Sequence, residues 1–446
     1  MNSTTKQSAD YEALQTQLNN CVANSPMTTI QVVVVALCFI LNMIDGMDVL
    51  VVSFTGSEIL TEWGLSKSAM GYIYSAGLAG MTLGCLFLAP LADKLGRKNL
   101  LLLSTAIITI GMLLSALVNS YSQLLIIRVL TGLGIGGILP TMAALAAEFS
   151  SDKRRNLSVG FVQAGWPIGA IFTGFFVAWA VPEFGWRSAY LTAGIISAIM
   201  LPVIFFIMPE SLAFLGKHQP PNALQRINKL LKKMGHASID SLPKAPEKIA
   251  PPTFRDLFSP SLAASTLRLW LGIFFGFMTL YTLISWVPSI AKESGMPFEM
   301  ATYVGTALNI GAFCGSVLLG WLSVRFGLKK LILIFMLSAF AIMSAYGSFN
   351  LTYTLMFVTT FFIGVTVQGG FNGFYPAATR IYPAALRATG IGMAVGVGRF
   401  GAILGPALFG ILLDTGMSIS TLFIIFSLPL VIAGFAAYSI PSKDLH

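Results

Sequence analysis

The chain has 446 residues, of which 55% are hydrophobic and only 10% charged, and its mean hydropathy is +0.79. A water-soluble domain carries about 25% charged residues, so that class is excluded. The formal charge of +9 then reads as membrane topology and contact with anionic lipid, not as a nucleic-acid-binding surface.

After a polar N-terminal tail over 1–29, apolar runs long enough to span a bilayer, about 20 residues each, lie at 30–55, 70–91, 99–119, 122–147, 157–181 and 186–208. The first starts late and has no small-residue cleavage site before the next, so it is expected to be a retained span and not a signal peptide. A polar insert over 209–266 follows, with prolines at 220, 221, 243, 246, 251, 252 and 260. Within it Leu224, Ile227, Leu231 and Met234 recur at helical spacing with Arg226, Lys229, Lys232 and Lys233 on other faces. That pattern suits either a basic amphipathic helix on the inner leaflet or a solvated linker helix. Six further runs lie at 267–291, 302–323, 329–347, 352–378, 387–413 and 417–440, before a tail over 441–446. The expectation is an all-α integral membrane protein with twelve transmembrane helices, in two six-helix bundles over 30–208 and 267–440 joined by a cytoplasmic loop.

Basic residues orient this arrangement. With both termini inside, 22 of the 27 lysines and arginines fall on the cytoplasmic side, while only Lys67, Arg187 and Lys292 fall outside and Arg128 and Arg399 fall within spans. That skew follows the positive-inside rule. The four cysteines show neither metal-site nor disulfide spacing and are expected to be free thiols.

Four ionisable side chains, Asp45, Asp48, Arg128 and Arg399, lie inside otherwise apolar runs. Each costs about 2.5–3.5 kcal/mol on insertion scales, so a function is the default explanation. Asp45 and Asp48 are three residues apart and share a helix face. Two carboxylates that close in a low dielectric cannot both ionise cheaply, which suits a site that takes up and releases a proton. His218, His236 and His446 all lie outside the spans, so the proton falls to one of these aspartates. Arg399 lies about twelve residues into its helix, roughly 18 Å deep at 1.5 Å per residue. Its planar fork can hold a carboxylate bidentately.

The halves repeat. APLADKLGRK (89–98) corresponds to GWLSVRFGLK (320–329), and Gly132, Arg155 and Gly169 correspond to Gly364, Arg387 and Gly401. Parallel six-helix repeats with the substrate site at their interface are a known transporter plan. Arg399 has Pro167 as its repeat-mate, so its charge is not part of a frame common to both halves.

These features resemble the major facilitator superfamily. Its loop signature Gly-x-x-x-Asp-Arg/Lys-x-Gly-Arg-Arg/Lys is matched by Asp93, Lys94, Gly96, Arg97 and Lys98, with Ala89 in place of the leading glycine; in the second copy Gly320 is kept and Val324 replaces the acid. The resemblance implies a charge lock on the cytoplasmic side in the first half only. Arg128 opens the family pattern Arg-x-x-x-Gly-x-Gly-x-Gly with Gly132, Gly134 and Gly136, and Glu148 and Arg155 follow it; Pro209-Glu210-Ser211 is another familiar stretch. Asp45-Gly46-Met47-Asp48, with Gly398-Arg399-Phe400-Gly401 and Gly405-Pro406, is similar to the aromatic acid:proton symporters of benzoate-like acids, protocatechuate, muconate and nicotinate.

The resemblance implies the major facilitator fold in a bacterial inner membrane, moving a small organic acid with protons by alternating access, as a monomer with no cofactor beyond the coupling proton. Arg128 is expected to pair with Asp45 or Asp48. Trp166, Gln163, Tyr281, Asn309, Gln368, Asn372 and Tyr375 are candidates to complete the acid site, with Trp286 as a cavity or membrane-interface residue. The glycines of the fourth and eleventh helices, including Gly392 and Gly396, are expected to allow close helix packing. Sugar, polyol or other metabolite symport and drug:proton antiport are the alternative activities. The broken Gly165-Trp166-Pro167-Ile168-Gly169-Ala170 run speaks against antiport. No catalytic cluster, metal site or phosphate-binding loop is visible, so neither enzymatic chemistry nor ATP-driven transport is expected.

Overall fold

The computed structural model describes residues 26–243, 257–260, 262–348, 352–383 and 386–441, with 14, 16, 18 and 20–23 of a preceding segment. Most of the N-terminal tail, the 244–256 part of the central loop and the end of the C-terminal tail lie outside the described residues, as does the side chain of Val324. Twelve described helices are long and apolar enough to cross a membrane: α1 Thr29–Trp63, α2 Lys67–Leu95, α3 Arg97–Ser115, α4 Tyr121–Glu148, α5 Leu157–Phe184, α6 Arg187–Ile207, α7 Ala263–Glu293, α8 Phe298–Ser323, α9 Leu328–Gly347, α10 Tyr353–Ile381, α11 Thr389–Asp414 and α12 Ile419–Tyr438. Outward-facing apolar side chains such as Phe206, Leu117 and Phe87 are largely exposed, as a surface that meets lipid requires.

Helix ends differ from the apolar runs where local chemistry carries the helix on. α1 continues past 55 to Trp63 and stops only where Gly64 adopts a left-handed φ of 59°. α2 is irregular: its regular part ends at Leu83, a π turn covers Gly84–Leu88, and a tighter turn at Ala89–Leu91 contains Pro90. α10 breaks at Gly373 into Tyr353–Asn372 and Phe374–Ile381.

Packing follows the internal repeat. α1 packs on α5 as α7 packs on α11, α2 on α4 as α8 on α10, and α3 on α6 as α9 on α12. Two of the pairs that join the halves, α2 with α11 and α5 with α8, are related in the same way, and α1 also meets α7. Small residues set these contacts. A Cβ on Gly132 would strike the Gly77 carbonyl of α2, and one on Gly364 would strike the Leu308 carbonyl of α8. Gly169 against Met43 and Gly401 against Phe274 repeat the device between α1 and α5 and between α7 and α11. Gly392 and Gly396 depart from the expected role, because nothing lies within 4 Å of a Cβ built on either.

The halves meet most closely at the Trp63 end. Lys67 pairs with Glu293 and Lys292 with Glu58. The Asp414 carboxylate accepts from the backbone N–H groups of Lys67 and Ser68 at 2.9 and 2.8 Å, which caps the N-terminus of α2 with the end of α11. Tyr74 stands edge-on to Trp286, ring centroids 5.3 Å apart. Toward the other end, marked by Arg97, the halves separate around a cavity. The central-loop helix Ala223–Lys233 buries Ile227, Leu230 and Leu231 within the protein and packs on the preceding helix Leu212–His218. Its apolar face is therefore not laid on a lipid leaflet.

Gly132→Ala is expected to lose about 1–3 kcal/mol through overpacking, and Gly320→Ala, whose Cβ would meet open space, is expected to lose none. Thermal unfolding of the two purified variants in one detergent checks the contrast.

Candidate functional site

Both halves line a cavity of about 580 Å³. α1 contributes Asn42 and Asp45, α2 Met81, α5 Gln163 and Trp166, α7 Phe277 and Tyr281, α8 Ser316, α10 Gln368, Phe371, Asn372 and Tyr375, and α11 Arg399. Eight of the residues singled out from the sequence thus meet in one space: Asp45, Trp166, Gln163, Tyr281, Gln368, Asn372, Tyr375 and Arg399.

The two aspartates have different environments. Asp48 is fully buried, and its carboxylate accepts from Nη1 and Nη2 of Arg128 at 2.8 Å each. Arg128 is itself buried, and its Nη2 also lies 3.4 Å from the Asp48 carbonyl oxygen. Neither residue lines the cavity. Asp45 does, and it is 1% exposed with neither carboxylate oxygen hydrogen-bonded. Close approach of α4 to α2 through Gly132 brings the Arg128 fork against Gly77 and so within reach of Asp48 and not of Asp45.

Arg399 reaches the cavity from α11, where Gly398 and Gly401 let the helix approach α7. Its Nη1 donates to the Tyr281 hydroxyl at 3.2 Å and touches the Met81 sulfur. The guanidinium carbon lies 5.4 Å from the Phe277 ring centroid and 5.9 Å from that of Tyr281, within cation–π range. Among the described residues no carboxylate forms an ion pair with it, and its Nε has no partner. A guanidinium held only by rings, a phenol and a sulfur has its planar fork of donors free of any acidic partner, a geometry that suits bidentate contact with a carboxylate.

Polar groups complete the walls. Gln368 Nε2 donates to Asn372 Oδ1 at 2.8 Å, and Asn372 Nδ2 donates to Ser316 Oγ at 2.6 Å. Tyr375 remains on the cavity despite the break at Gly373. Opposite, Asn42 Nδ2 donates to the Val162 carbonyl at 2.7 Å, while its buried Oδ1 has no partner.

Two expectations are corrected. Asn309 does not line the cavity: it is 1% exposed, and its amide turns along its own helix to the Gly305 carbonyl at 2.9 Å. Trp286 is neither an interface anchor nor part of this cavity; it is buried, and its Nε1 donates to the Pro406 carbonyl at 3.0 Å. Asn42, Ser316 and Phe277 were not singled out from the sequence. A lone amide, hydroxyl or phenylalanine in an apolar run carries no signal of which way it faces.

At the Arg97 end the loop signature forms a compact cluster. Arg97 pairs with Asp93 at 3.3 Å and Glu148 at 3.2 Å, and Lys98 Nζ donates to the Phe205 carbonyl at 2.6 Å. Glu210 is the residue missing from the sequence-derived set. Its Oε1 accepts from the backbone N–H groups of Arg97, Lys98 and Ser211 at 2.9, 3.3 and 2.9 Å. Burial pushes its carboxyl above the usual carboxylate range, against those hydrogen bonds. Gly96 sits at φ 94°, and its missing Cβ leaves the space that Glu210 occupies. The available signal was Pro209-Glu210-Ser211 itself. Arg155 does not join the cluster: it pairs with Asp152 at 2.8 Å on an exposed turn. Lys94 is exposed.

Comparison with known proteins gives a consistent result. Residues 38–307 and 269–445 match the Major Facilitator Superfamily. The chain is 32% identical over 419 residues to the gallate transporter of Pseudomonas putida, covering 93% of each chain. It is 31% identical over 413 residues to the 4-hydroxybenzoate transporter PcaK of Pseudomonas aeruginosa, 92% of each. With the 3-(3-hydroxy-phenyl)propionate transporter of Escherichia coli it shares 30% identity over 412 residues, 92% of this chain and 94% of that one. Among solved structures, the inward open xylose transporter XylE from E. coli superposes with a TM-score of 0.72 at 17% identity, covering 92% of this chain and 96% of that chain.

Asp48→Asn leaves Arg128 buried without a counter-charge and is expected to cost about 3–5 kcal/mol. Asp45→Asn, at a carboxylate with no hydrogen-bond partner, is expected to cost far less. Melting temperatures of the two purified variants separate the roles, and equal losses would contradict them.

Proposed function

The chain belongs to the Major Facilitator Superfamily, and we propose that it is a proton-coupled symporter that imports an aromatic carboxylate across a bacterial inner membrane. Asp45 carries the proton and Arg399 binds the carboxylate. One observation carries this reading: a buried guanidinium without an acid partner and a buried carboxylate without a hydrogen-bond partner line the same cavity. The first fits an anion, and the second fits a group that changes protonation as water access alternates.

The rest of the cavity suits a planar ring. Phe277 and Tyr281 flank the guanidinium, and Phe371, Tyr375 and Trp166 extend the aromatic surface. A ring held among them gains offset or edge contacts beyond its buried area. Gln368, Asn372 and Ser316 offer amide and hydroxyl groups to ring substituents. The relatives are named for aromatic acids, which supports the same reading. A sugar site would gain little from an unpaired guanidinium in the apolar interior, which ranks sugar or polyol uptake lower.

The Arg97 end carries most of the basic loops and so faces the cytoplasm, with both termini. The cavity then opens inward, behind the Lys67–Glu293 and Lys292–Glu58 pairs and the Asp414 cap on α2. Release to the cytoplasm is followed by parting of that outer seal and closure of the inner end, as one half rocks on the other.

Reconstituted into proteoliposomes, the protein is expected to accumulate labelled 4-hydroxybenzoate when the outside is made acidic. Arg399→Ala is expected to weaken binding roughly 100-fold, the order lost when one partner of a buried charge pair is truncated. Arg399→Lys keeps the charge, loses the fork, and falls between. Asp45→Asn is expected to abolish acid-driven accumulation. Unimpaired uptake by Arg399→Ala would overturn the binding role.

A further inference from the structure

We propose that the cavity reads ring substituents as hydrogen-bond donors: Asn42 Oδ1 on the first half and Gln368 Oε1 on the second accept from the substrate, so a hydroxylated aromatic acid binds in preference to the same acid without its hydroxyl. This rests on the assignment of Arg399 to the carboxylate above and concerns the rest of the ring. Asn42 and Gln368 both line the cavity. In each, the neighbours decide which end of the amide is left over, because a carbonyl oxygen can only accept. Asn42 Nδ2 is taken by the Val162 carbonyl at 2.7 Å, with the Gln163 carbonyl at 3.4 Å. α5 closes on the Asn42 side chain at Gly165, where an added Cβ would lie 3.2 Å from Asn42 Cβ. The amide is thereby held one way round, and its oxygen is buried with no partner.

On the opposite wall the hydrogen bonds run in one direction. Ser316 has a single hydroxyl hydrogen and donates it to the Ala312 carbonyl at 2.7 Å. Its oxygen therefore accepts from Asn372 Nδ2 at 2.6 Å, which leaves Asn372 Oδ1 to accept from Gln368 Nε2 at 2.8 Å. The chain ends on Gln368 Oε1, which accepts from none of the described residues. Either amide could have turned a donor or an acceptor to the ring, and the packing of α1 on α5 and of α8 on α10 leaves an oxygen free on each. An acceptor closed off from water needs a donor, and leaving it unpaired costs more than making the bond gains. A phenolic hydroxyl or an aromatic amine supplies the missing hydrogen. A fluorine of similar size brings only lone pairs.

The test is calorimetric titration of the whole purified protein in detergent with 3- and 4-substituted benzoates that carry a hydroxyl, an amine or a fluorine. Hydroxyl and amine are expected to bind alike at one ring position at least, and roughly 10-fold more tightly than fluorine there. Asn42→Leu and Gln368→Met each remove one acceptor and are each expected to lower a hydroxyl-to-fluorine ratio; with both changes together the ratio falls to about one. A ratio taken within one variant is not moved by a partial loss of folded protein or by the lost tie of Asn42 to Val162, so a merely structural role for either side chain would leave it standing. Fluoro acids that bind the unaltered protein as tightly as hydroxy acids at both positions overturn the proposal. So does a full ratio in both single variants. Arg399→Ala is expected to weaken all three classes together, and affinities unchanged by it would instead remove the carboxylate assignment on which the proposal rests.

Discussion

A charge in an apolar interior has to be neutralised by a neighbour, because no water is present to solvate it. The bidentate contact between Asp48 and Arg128 meets that requirement and fixes much else. It ties α1 to α4, with Asp48 fully buried. Arg128 reaches Asp48 only because α4 lies close against α2, where Gly132 and Gly77 bring the two backbones together. With Asp48 occupied in this way, Asp45 three residues earlier is left facing the cavity. One ion pair thus divides two chemically identical side chains into one held in a bidentate contact and one that lines the cavity without a hydrogen-bond partner.

The frame around that pair is symmetric, and the charges are not. Glycine contacts between α2 and α4 recur between α8 and α10, and those between α1 and α5 recur between α7 and α11. At the repeat offset, Asp45, Asp48 and Arg128 correspond to Gly276, Thr279 and Thr360, and Arg399 corresponds to Pro167. Small residues that set helix approach are shared by both halves. The four buried charges each occur once, which separates what the fold needs from what the site needs.

The two ends of the molecule hold together by different means. At the Trp63 end the halves are joined by long side chains and a helix cap, Lys67 with Glu293, Lys292 with Glu58, and Asp414 on the first turn of α2. Partly exposed ion pairs of this kind are individually weak and can part without leaving a buried charge behind. The Arg97 cluster is built within the first half alone. Its anchor, Glu210, is buried and bound to backbone N–H groups at the start of α3.

Twelve spans and the repeat were legible in the sequence, because a bilayer demands a run of about 20 apolar residues for each crossing and each charge within such a run stands out. Arg399, Trp166, Gln163, Tyr281, Gln368, Asn372 and Tyr375 were legible for the same reason, as polar or aromatic groups at helical spacing. Asn309 shows the limit: the same residue type at a similar depth satisfies itself on the Gly305 carbonyl and never reaches the cavity. Glu210 shows the converse, since Pro209-Glu210-Ser211 marks the position but does not tell that its carboxylate will bind the first backbone N–H groups of α3, more than a hundred residues away. By itself the sequence determined that the chain crosses the membrane twelve times and carries two acids and two bases in its apolar interior. Which acid meets a base was decided only by the tertiary structure, because helical spacing places Asp45 and Asp48 on one face while α4 brings Arg128 within hydrogen-bonding distance of Asp48 and leaves Asp45 without a hydrogen-bond partner.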